Sequence, residues 1–450
     1  MTEIKIVVLW SDRLFFLLIG VALAAGLWAN RHEHLSASWR RVGQSPVGMA
    51  AATVLLVFLL VGVLDSLHYR APLPAQDGKP AGHAVEVTSA LDALLSGLRS
   101  RTEKTYSAPL ATHLFAKESL ENEQGRDFPR LRHGGSHLAD PLVDHSSDIA
   151  LTTLQGLGLG LVVWLPLAGL LAQARRRAPT LAWNAVSLTL LTVALLAAPA
   201  GLLSQGYHVL GTDKVGQDVL YLTLKSIRTG LLIGTLTTLI MLPAAVVLGI
   251  VAGYLGGWVD DLIQYLYTTL NSIPGVLLIA ASVLMMQVVI DTHPQWFATA
   301  AERADARLLA LCGILGVTSW TSLCRLLRGE TLKLRELDYV QAARAFGVSQ
   351  WRIMARHLLP NVMHIVMITI VMEFSSLVLA EAVLSYLDIG VDPNTISFGT
   401  MINNARLELA RDPMVWWSLA AAFSFMLALV LAANLFADVV RDAFDPRVVK

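Results

Sequence analysis

The stretch DYVQAARAFGVSQWRIMARHLLPN, residues 338–361, decides how this chain is read. It is short, basic and rich in Ala, and it lies between two long apolar runs. Asp338 is placed to cap a helix carrying Val340, Ala342, Ala343 and Phe346 and to oppose its dipole. Gly347 falls where a left-handed C-cap is wanted, so that helix should stop there. Ser349 can cap a second helix bearing Trp351, Ile353, Met354 and Leu358, and Pro360 suits the first turn of the run that follows. The residues alone leave two readings open. The segment is either a helix presented to a groove on a cytoplasmic partner, or an amphipathic connector resting on lipid headgroups.

Composition makes the surroundings membrane. The chain is 55% hydrophobic and only 15% charged, with 34 basic and 34 acidic residues, so no global charge points to nucleic acid. A crossing needs about 20 mostly apolar residues. About nine such runs are present, near 14–29, 47–65, 150–172, 181–203, 229–253, 263–290, 305–327, 362–383 and 415–438. The first is short but leads into no small-residue cleavage site, and is read as a retained span. The expected fold class is an all-α polytopic membrane protein.

Basic residues in short connections set the expected orientation. Arg31, Arg40 and Arg41 follow the first run, and Arg175, Arg176 and Arg177 follow the third. Arg325, Arg328, Lys333 and Arg335 follow the seventh, and Arg441 and Arg447 the ninth. All follow odd-numbered spans, so the N-terminus is expected outside, the C-terminus and residues 338–361 in the cytoplasm, and segment 66–149 outside.

Several motifs then fall in one order. Gln341-Ala342-Ala343, Gly347, His357 and Leu359-Pro360 resemble the EAA loop of binding-protein-dependent ABC importer permeases, with Gln341 where that family has Glu. Asp338-Tyr339, Arg356-His357 and Asn361 are typical of its dipeptide, oligopeptide and nickel branch. His208 with Gly211-Thr212-Asp213, Gly216 and Asp218 resembles that branch's H-x-L-G-T-D-x-x-G-R-D signature, with Gln217 replacing Arg. Gly253 to Asp260, Glu381 to Gly390 and Arg441 to Pro446 resemble three further motifs of the branch. The resemblance covers 205–450, with 45–65 matching the family's usual first span.

This resemblance implies a type I importer permease core at 205–450, with a coupling loop at 338–361. Residues 1–204 would form an extension with about four spans and the external segment 66–149. It implies a bacterial inner-membrane complex with a second similar permease, two ATP-binding subunits and an extracytoplasmic solute-binding protein. ATP and magnesium would sit on the partner subunits, and no cofactor in this chain. Peptide is the expected cargo, with nickel or another small solute as the alternative.

Other features are weaker. Gly230/Gly234 and Gly249/Gly253 are small-residue pairs that permit close helix contact, and Pro243 should kink its span. Glu373 and Glu381, two turns apart in the eighth span, should face protein or a water-filled path. Resemblance makes Glu381 a structural or gate-lining residue. The run from Arg132 to His137, with Asp140, Asp144 and His145, could attract a divalent metal, but Gly and Pro break its spacing and no metal site is expected. Thr88 or Ser89 can cap a helix carrying Leu91, Leu94, Leu95 and Leu98, and a second helix is expected through Leu110, Leu114 and Phe115. The apolar face of the first needs a packing partner, which favours a docking role for 66–149, while 66–204 is expected to be dispensable for the path itself.

No catalytic residues are expected. The phosphate-cradling G-x-x-x-x-G-K-[ST] is absent, as are H-E-x-x-H and G-x-S-x-G, which disfavours an intramembrane hydrolase. No inverted repeat supports a secondary transporter.

Overall fold

A computed structural model describes residues 5–31, 33–73, 82–119, 126–297, 299–387, 389–392 and 395–444. Asp388, Asp445 and Pro446 of the expected motifs lie outside the described residues. The architecture is predominantly helical, and nine described helices are long and apolar enough to cross a membrane.

The chain opens with β1 (Lys5–Val7), α1 (Trp10–Asn30), an amphipathic α2 (Glu33–Gln44) and α3 (Pro46–Ser66). Next come β2 (His68–Arg70), β3 (Pro72–Leu73), β4 (Gly82–His83) and β5 (Thr88–Ser89), then α4 (Ala90–Leu94) and α5 (Ser96–Ser100). Strands β6 (Glu118–Ser119) and β7 (Arg126–Asp127) precede the hairpin of α6 (Pro141–Arg177) and α7 (Trp183–Leu203). The remainder is α8 (Val219–Leu255), α9 (Gly257–Ser272), α10 (Gly275–Thr292), α11 (Ala300–Leu334), α12 (Asp338–Ala345), α13 (Gln350–Ile353), α14 (Leu359–Tyr386), α15 (Phe398–Arg406) and α16 (Trp417–Phe444).

The centre is α8, packed along α11, α14 and α16, with α1 and α3 against the same group. Close contact is built into the sequence by glycine. A Cβ at Gly249 would meet Cys324 O at 2.8 Å, and one at Gly253 would meet Arg328 O at 2.7 Å, so α8 and α11 approach backbone to backbone. Gly234 makes room for the Phe374 ring of α14 in the same way. Helix α8 continues through Pro243 without a break. Phe15 of α1 is 1% exposed within the main apolar cluster, so the first run is a packed element of the bundle.

Two poles follow from the contacts. At one, antiparallel strands β1, β2 and β5 form a small sheet, Ser11 N donates to Asp305 of α11, and Trp417 Nε1 donates to Thr212 O at 2.9 Å. We call this the cap pole. At the other, Val42 of α2 packs with Val440 and Ala443 of α16, and Ala182 N donates to Gly43 O. The connection 338–361 lies at this second, coupling pole, because α11 and α14 each cross once from the cap pole to reach it.

Two expected elements are different in the structure. The run 263–290 is not one helix: α9 and α10 are separated at Ile273-Pro274, where Ile273 is extended (φ −91°, ψ 132°). Pro274 lacks the N–H that would continue the ladder, and it biases Ile273 away from helical backbone. Second, Leu110, Leu114 and Phe115 form no helix. Leu110 has φ 57°, and their amides donate singly to His208 O, Pro129 O and Tyr106 O. Tertiary hydrogen bonds here win over the helical spacing of the leucines.

Candidate functional site

The coupling pole carries the expected loop. Helix α12 ends in Phe346, with Gly347 at φ 74°. Gly347 N donates to Arg344 O at 3.0 Å and Val348 N to Ala343 O at 3.1 Å, the paired pattern of a Schellman end. The two caps are other than expected. Leu337 holds the N-cap position of α12, and Asp338 is its first helical residue, opposing the dipole without a capping bond. Ser349 stands before α13 but makes no side-chain cap bond. Residues 354–358 continue α13 into α14 as one π turn, with Pro360 in the first turn of α14.

One face of this unit is fixed and the other is free. Val340, Ile353, Met354 and Leu358 are buried with Ile263 and Tyr267 of α9 and Leu327 of α11. Phe346 is 87% exposed and Trp351 68%, with Tyr339, Gln341, Ala342, Arg344 and Arg356 also exposed. Asn361 Nδ2 donates to Tyr339 OH at 3.1 Å and to His357 O at 2.6 Å, tying α12 to the foot of α14. Gln341 Nε2 donates to Glu336 Oε2 at 3.3 Å, so a carboxylate still stands beside the position where the resembled family has Glu. Arg328 of α11 grips Asp260 of α9 through two bonds, at 2.5 and 2.7 Å, which ties α9 to α11 beside the loop.

The cap pole holds the second signature. Asp218 caps α8 by accepting from Leu220 N and Tyr221 N, and its other oxygen lies 2.8 Å from His208 Nδ1. Asp213 Oδ1 accepts from Val215 N and Gln217 N, closing the turn between the glycines. Gly211 and Gly216 both have positive φ, and Cβ atoms there would strike Ser107 O at 2.5 Å and Glu103 O at 1.9 Å. The signature therefore packs directly against residues 103–107 of the external segment. Thr212 Oγ1 donates to Thr105 O and accepts from Ser107 N.

Glu103 completes a buried acid–imidazole–acid arrangement that sequence reasoning missed. Its carboxylate lies 3.4 Å from His208 Nε2 and accepts from the amides of Arg132, His133 and Gly134. Burial opposes its charge, but those four donors hold Glu103 down at about 2. Burial likewise disfavours a charged His208, yet Asp218 and Glu103, one on each ring nitrogen, push it up to about 9. The imidazole is an imidazolium donating both protons.

Two cations of α8 are matched by acids from the N-terminal part. Lys225 Nζ lies 2.8 and 2.9 Å from the two oxygens of Asp92 and 3.1 Å from Asp65. Arg228 donates to Asp12 at 2.6 Å and to Ser11 and Ser66 at 3.1 Å, while His68 Nδ1 lies 2.8 Å from Asp12. A lysine and an arginine inside the first three turns of a long apolar helix were the available signal. Such charges require partners.

Of the two expected caps it is Ser89 that caps α4, and Asp92 closes a reciprocal box with it. The apolar face expected there is already covered: Leu91 and Leu98 are 3% and 7% exposed, packed onto the chain itself, while Leu94 points out. The His/Asp run is absorbed in hydrogen bonds. His137 Nε2 contacts Asp148, which also accepts from Tyr207 OH, and His145 contacts Leu110 O. Among the described residues no three His, Cys, Asp or Glu side chains are grouped to hold a metal.

In α14 the two glutamates differ. Glu381 is 1% exposed and accepts from Ser385 Oγ and Ser397 Oγ, both at 2.7 Å. Ser397 is also the cap of α15, so Glu381 ties α14 to that helix inside the subunit. Glu373 is partly exposed, and its carboxylate has no hydrogen-bond or ion-pair partner among the described residues.

Known proteins place this arrangement. Residues 245–450 match the family described as binding-protein-dependent transport system inner membrane component. The chain is 32% identical over 239 residues to an oligopeptide transport system permease protein of Mycobacterium tuberculosis, covering 53% of this chain and 76% of that one. It is 32% identical over 240 residues to a dipeptide transport system permease protein of Lactococcus lactis, covering 53% of this chain and 64% of the relative. A peptidoglycan transport system permease protein of Agrobacterium fabrum is 34% identical over 242 residues, covering 53% and 57% respectively. With nine apolar helices among its described residues and an EAA-type loop, the chain belongs to the ABC importer permeases of the peptide transport family: a multi-pass membrane translocation component, not itself an enzyme.

Proposed function

We propose that this chain forms half of a transmembrane path for peptides, pairing with a second similar permease above two ATP-binding subunits. An extracytoplasmic solute-binding protein delivers cargo at the cap pole. The observation that carries the reading is the exposed face of α12 and α13, with Tyr339, Phe346 and Trp351 standing out from a base pinned by buried Val340, Ile353 and Leu358. Large aromatics held outward on a rigid stub suit insertion into a groove, and closure of the ATPase pair would drive that stub as a lever. ATP and magnesium act on the partner subunits. The coupling pole is cytoplasmic on this reading, which also gathers Arg40, Arg41, Arg175, Arg176 and Arg177 on the positive-inside face.

Pairing is favoured because the cavity that opens beside Tyr106 on the single chain is too small for a peptide. The cavity beside Tyr106, Asp213 and Glu408 has a volume of about 40 Å³, against several hundred for a ligand site. The test is Phe346→Ala in the reconstituted complex. Its side chain is almost wholly exposed, so folding and insertion should be unaffected, while import and cargo-stimulated ATP hydrolysis fall together. Normal import by this variant and by Trp351→Ala would refute the lever.

A further inference from the structure

Two features meet at one depth in the membrane. Counting at 1.5 Å per residue, Glu373 lies roughly 21 Å along α14 from Leu359, and Thr321 lies roughly 20 Å along α11 from Leu334. Leu334 and Leu359 both pack on the coupling-pole cluster, so the two levels agree. Thr321 Oγ1 donates to Asn271 Oδ1 at 3.0 Å, which brings the α9–α10 break to that same level.

Neither feature tolerates lipid. Residues 271–277, which include the non-helical Ile273-Pro274 junction, are all exposed on this chain. Interrupted backbone at membrane depth persists only under protein cover or beside water. A carboxylate at that depth obeys the same rule, and Glu373 has no cation to meet it among the described residues. Ser376, one turn on, is exposed and makes only a 3.4 Å bond to Met372 O, and Asn271 stands exposed at the break with only its Oδ1 taken, by Thr321. A dry contact would leave the Glu373 carboxylate and the Asn271 amide N–H groups unsatisfied, whereas a wet one would not.

We propose that Glu373, Ser376 and the Asn271–Pro274 junction line a water-filled path completed by a second permease. In it Glu373 is the cation-accepting group, favouring cargo that carries ammonium or guanidinium groups. The inference rests on the paired-permease reading above and adds the charge selectivity of its path. Glu373 binds and orients, and no bond is made or broken.

The test is designed to read Glu373 without needing cargo. Ser376→Cys is introduced into the assembled complex in membranes and treated with cationic and anionic methanethiosulfonate reagents. Leu159→Cys on α6 serves as the lipid-facing control, and native Cys312 and Cys324 are buried. Ser376→Cys should react readily, faster with the cationic reagent, and adding Glu373→Gln should abolish that preference. Reaction no faster than at Leu159→Cys would overturn the path and favour a dry interface. A preference untouched by Glu373→Gln would overturn the cation-accepting role. Uptake of trilysine and trialanine, each normalised to its affinity for the binding protein, gives a second readout. Glu373→Gln should lower trilysine uptake about tenfold, the size of one charge-assisted bond, and trialanine far less. Equal losses would overturn the selectivity. If the native complex imports neither peptide, the peptide reading fails, and the thiol chemistry still decides the place of Glu373.

Discussion

Asp92 gives the sharpest measurement of how the external segment holds the bundle. It is 5% exposed, and both oxygens are in use. One accepts from Lys225 Nζ and Tyr221 OH, each at 2.8 Å; the other accepts from Lys225 Nζ and Ser89 N, each at 2.9 Å. Burial opposes its charge, but Lys225 and these donors hold the carboxyl at about 2 against an ordinary 3.8. That depression corresponds to about 2.5 kcal/mol of preference for the folded carboxylate. Asp92→Asn keeps the shape, removes the charge and turns one acceptor into a donor facing an ammonium or an N–H. Asp65 stays 3.1 Å from Lys225, so the ammonium is not stranded. The expected loss is therefore about 2–3 kcal/mol, below the 3–5 typical of a buried charge left alone.

The assay is thermal unfolding of the detergent-solubilised protein, native against Asp92→Asn. Glu86→Gln is the control, because the Glu86–Arg99 pair is largely exposed and should contribute about 0–1 kcal/mol. Adding Lys225→Met to Asp92→Asn should recover part of the loss, since the two act as a pair. If Asp92→Asn is no worse than Glu86→Gln, the reasoning that extension acids neutralise α8 is wrong.

Acidity gives a second prediction. Asp92 has a lowered value, so its contribution is complete above about 3.8 and lost as pH falls towards 2. His208 has a raised value, so its contribution is complete below about 6.5 and lost as pH rises through about 9. Stability should plateau between about pH 4 and 6.5 and decline towards 9, and His208→Gln should flatten the alkaline decline. A Cβ at Gly347 would meet no atom within 4 Å, so the effect assigned to Gly347→Val is that of φ, about 1–2 kcal/mol of strain at the end of α12. Transport should fall with insertion unchanged, and unchanged uptake would remove the loop from the coupling role. For orientation, Val85→Cys should react with an impermeant thiol reagent applied to intact spheroplasts and Arg176→Cys should not, and the reverse pattern would invert the proposed topology.

Legibility in the sequence followed the range of the forces. The apolar runs report a local property, so α1, α3, α6, α7, α8, α11, α14 and α16 stand close to where hydropathy places them. Gly347 was legible because a positive φ is a local demand that few other residues meet. The break at Ile273-Pro274 was hidden by hydropathy, which does not register a missing N–H. The caps at Asp338 and Ser349 failed because a residue able to cap is not obliged to, and buried Val340 and Ile353 fix those helices from the other side. Leu110, Leu114 and Phe115 kept a helical spacing while distant carbonyls took their amides. Pairings such as Glu103 with His208 span 105 residues, and no local pattern records them.

Those long-range pairs alter how the extension relates to the importer core. Treated as an insertion, 66–149 should be removable once its ends are joined. The structure ties it to the core through groups that burial makes expensive to separate. Removing Glu103 leaves His208 with one acid instead of two, and removing Asp92 leaves Lys225 with only Asp65. Residues 103–107 also fill the space that Gly211 and Gly216 keep open. Gly211 and Gly216 have positive φ and belong to the 208–218 signature, so the segment packs onto a turn that the core already carries. A deletion of 70–145 should accordingly fail first in assembly, before any question of path or docking arises. The discriminating comparison is that deletion against full-length Asp92→Asn/Glu103→Gln, which removes the two acids and keeps the packing. If the full-length variant assembles normally while the deletion does not, charge is not what joins the two parts, and packing of residues 103–107 against Gly211 and Gly216 carries the attachment instead.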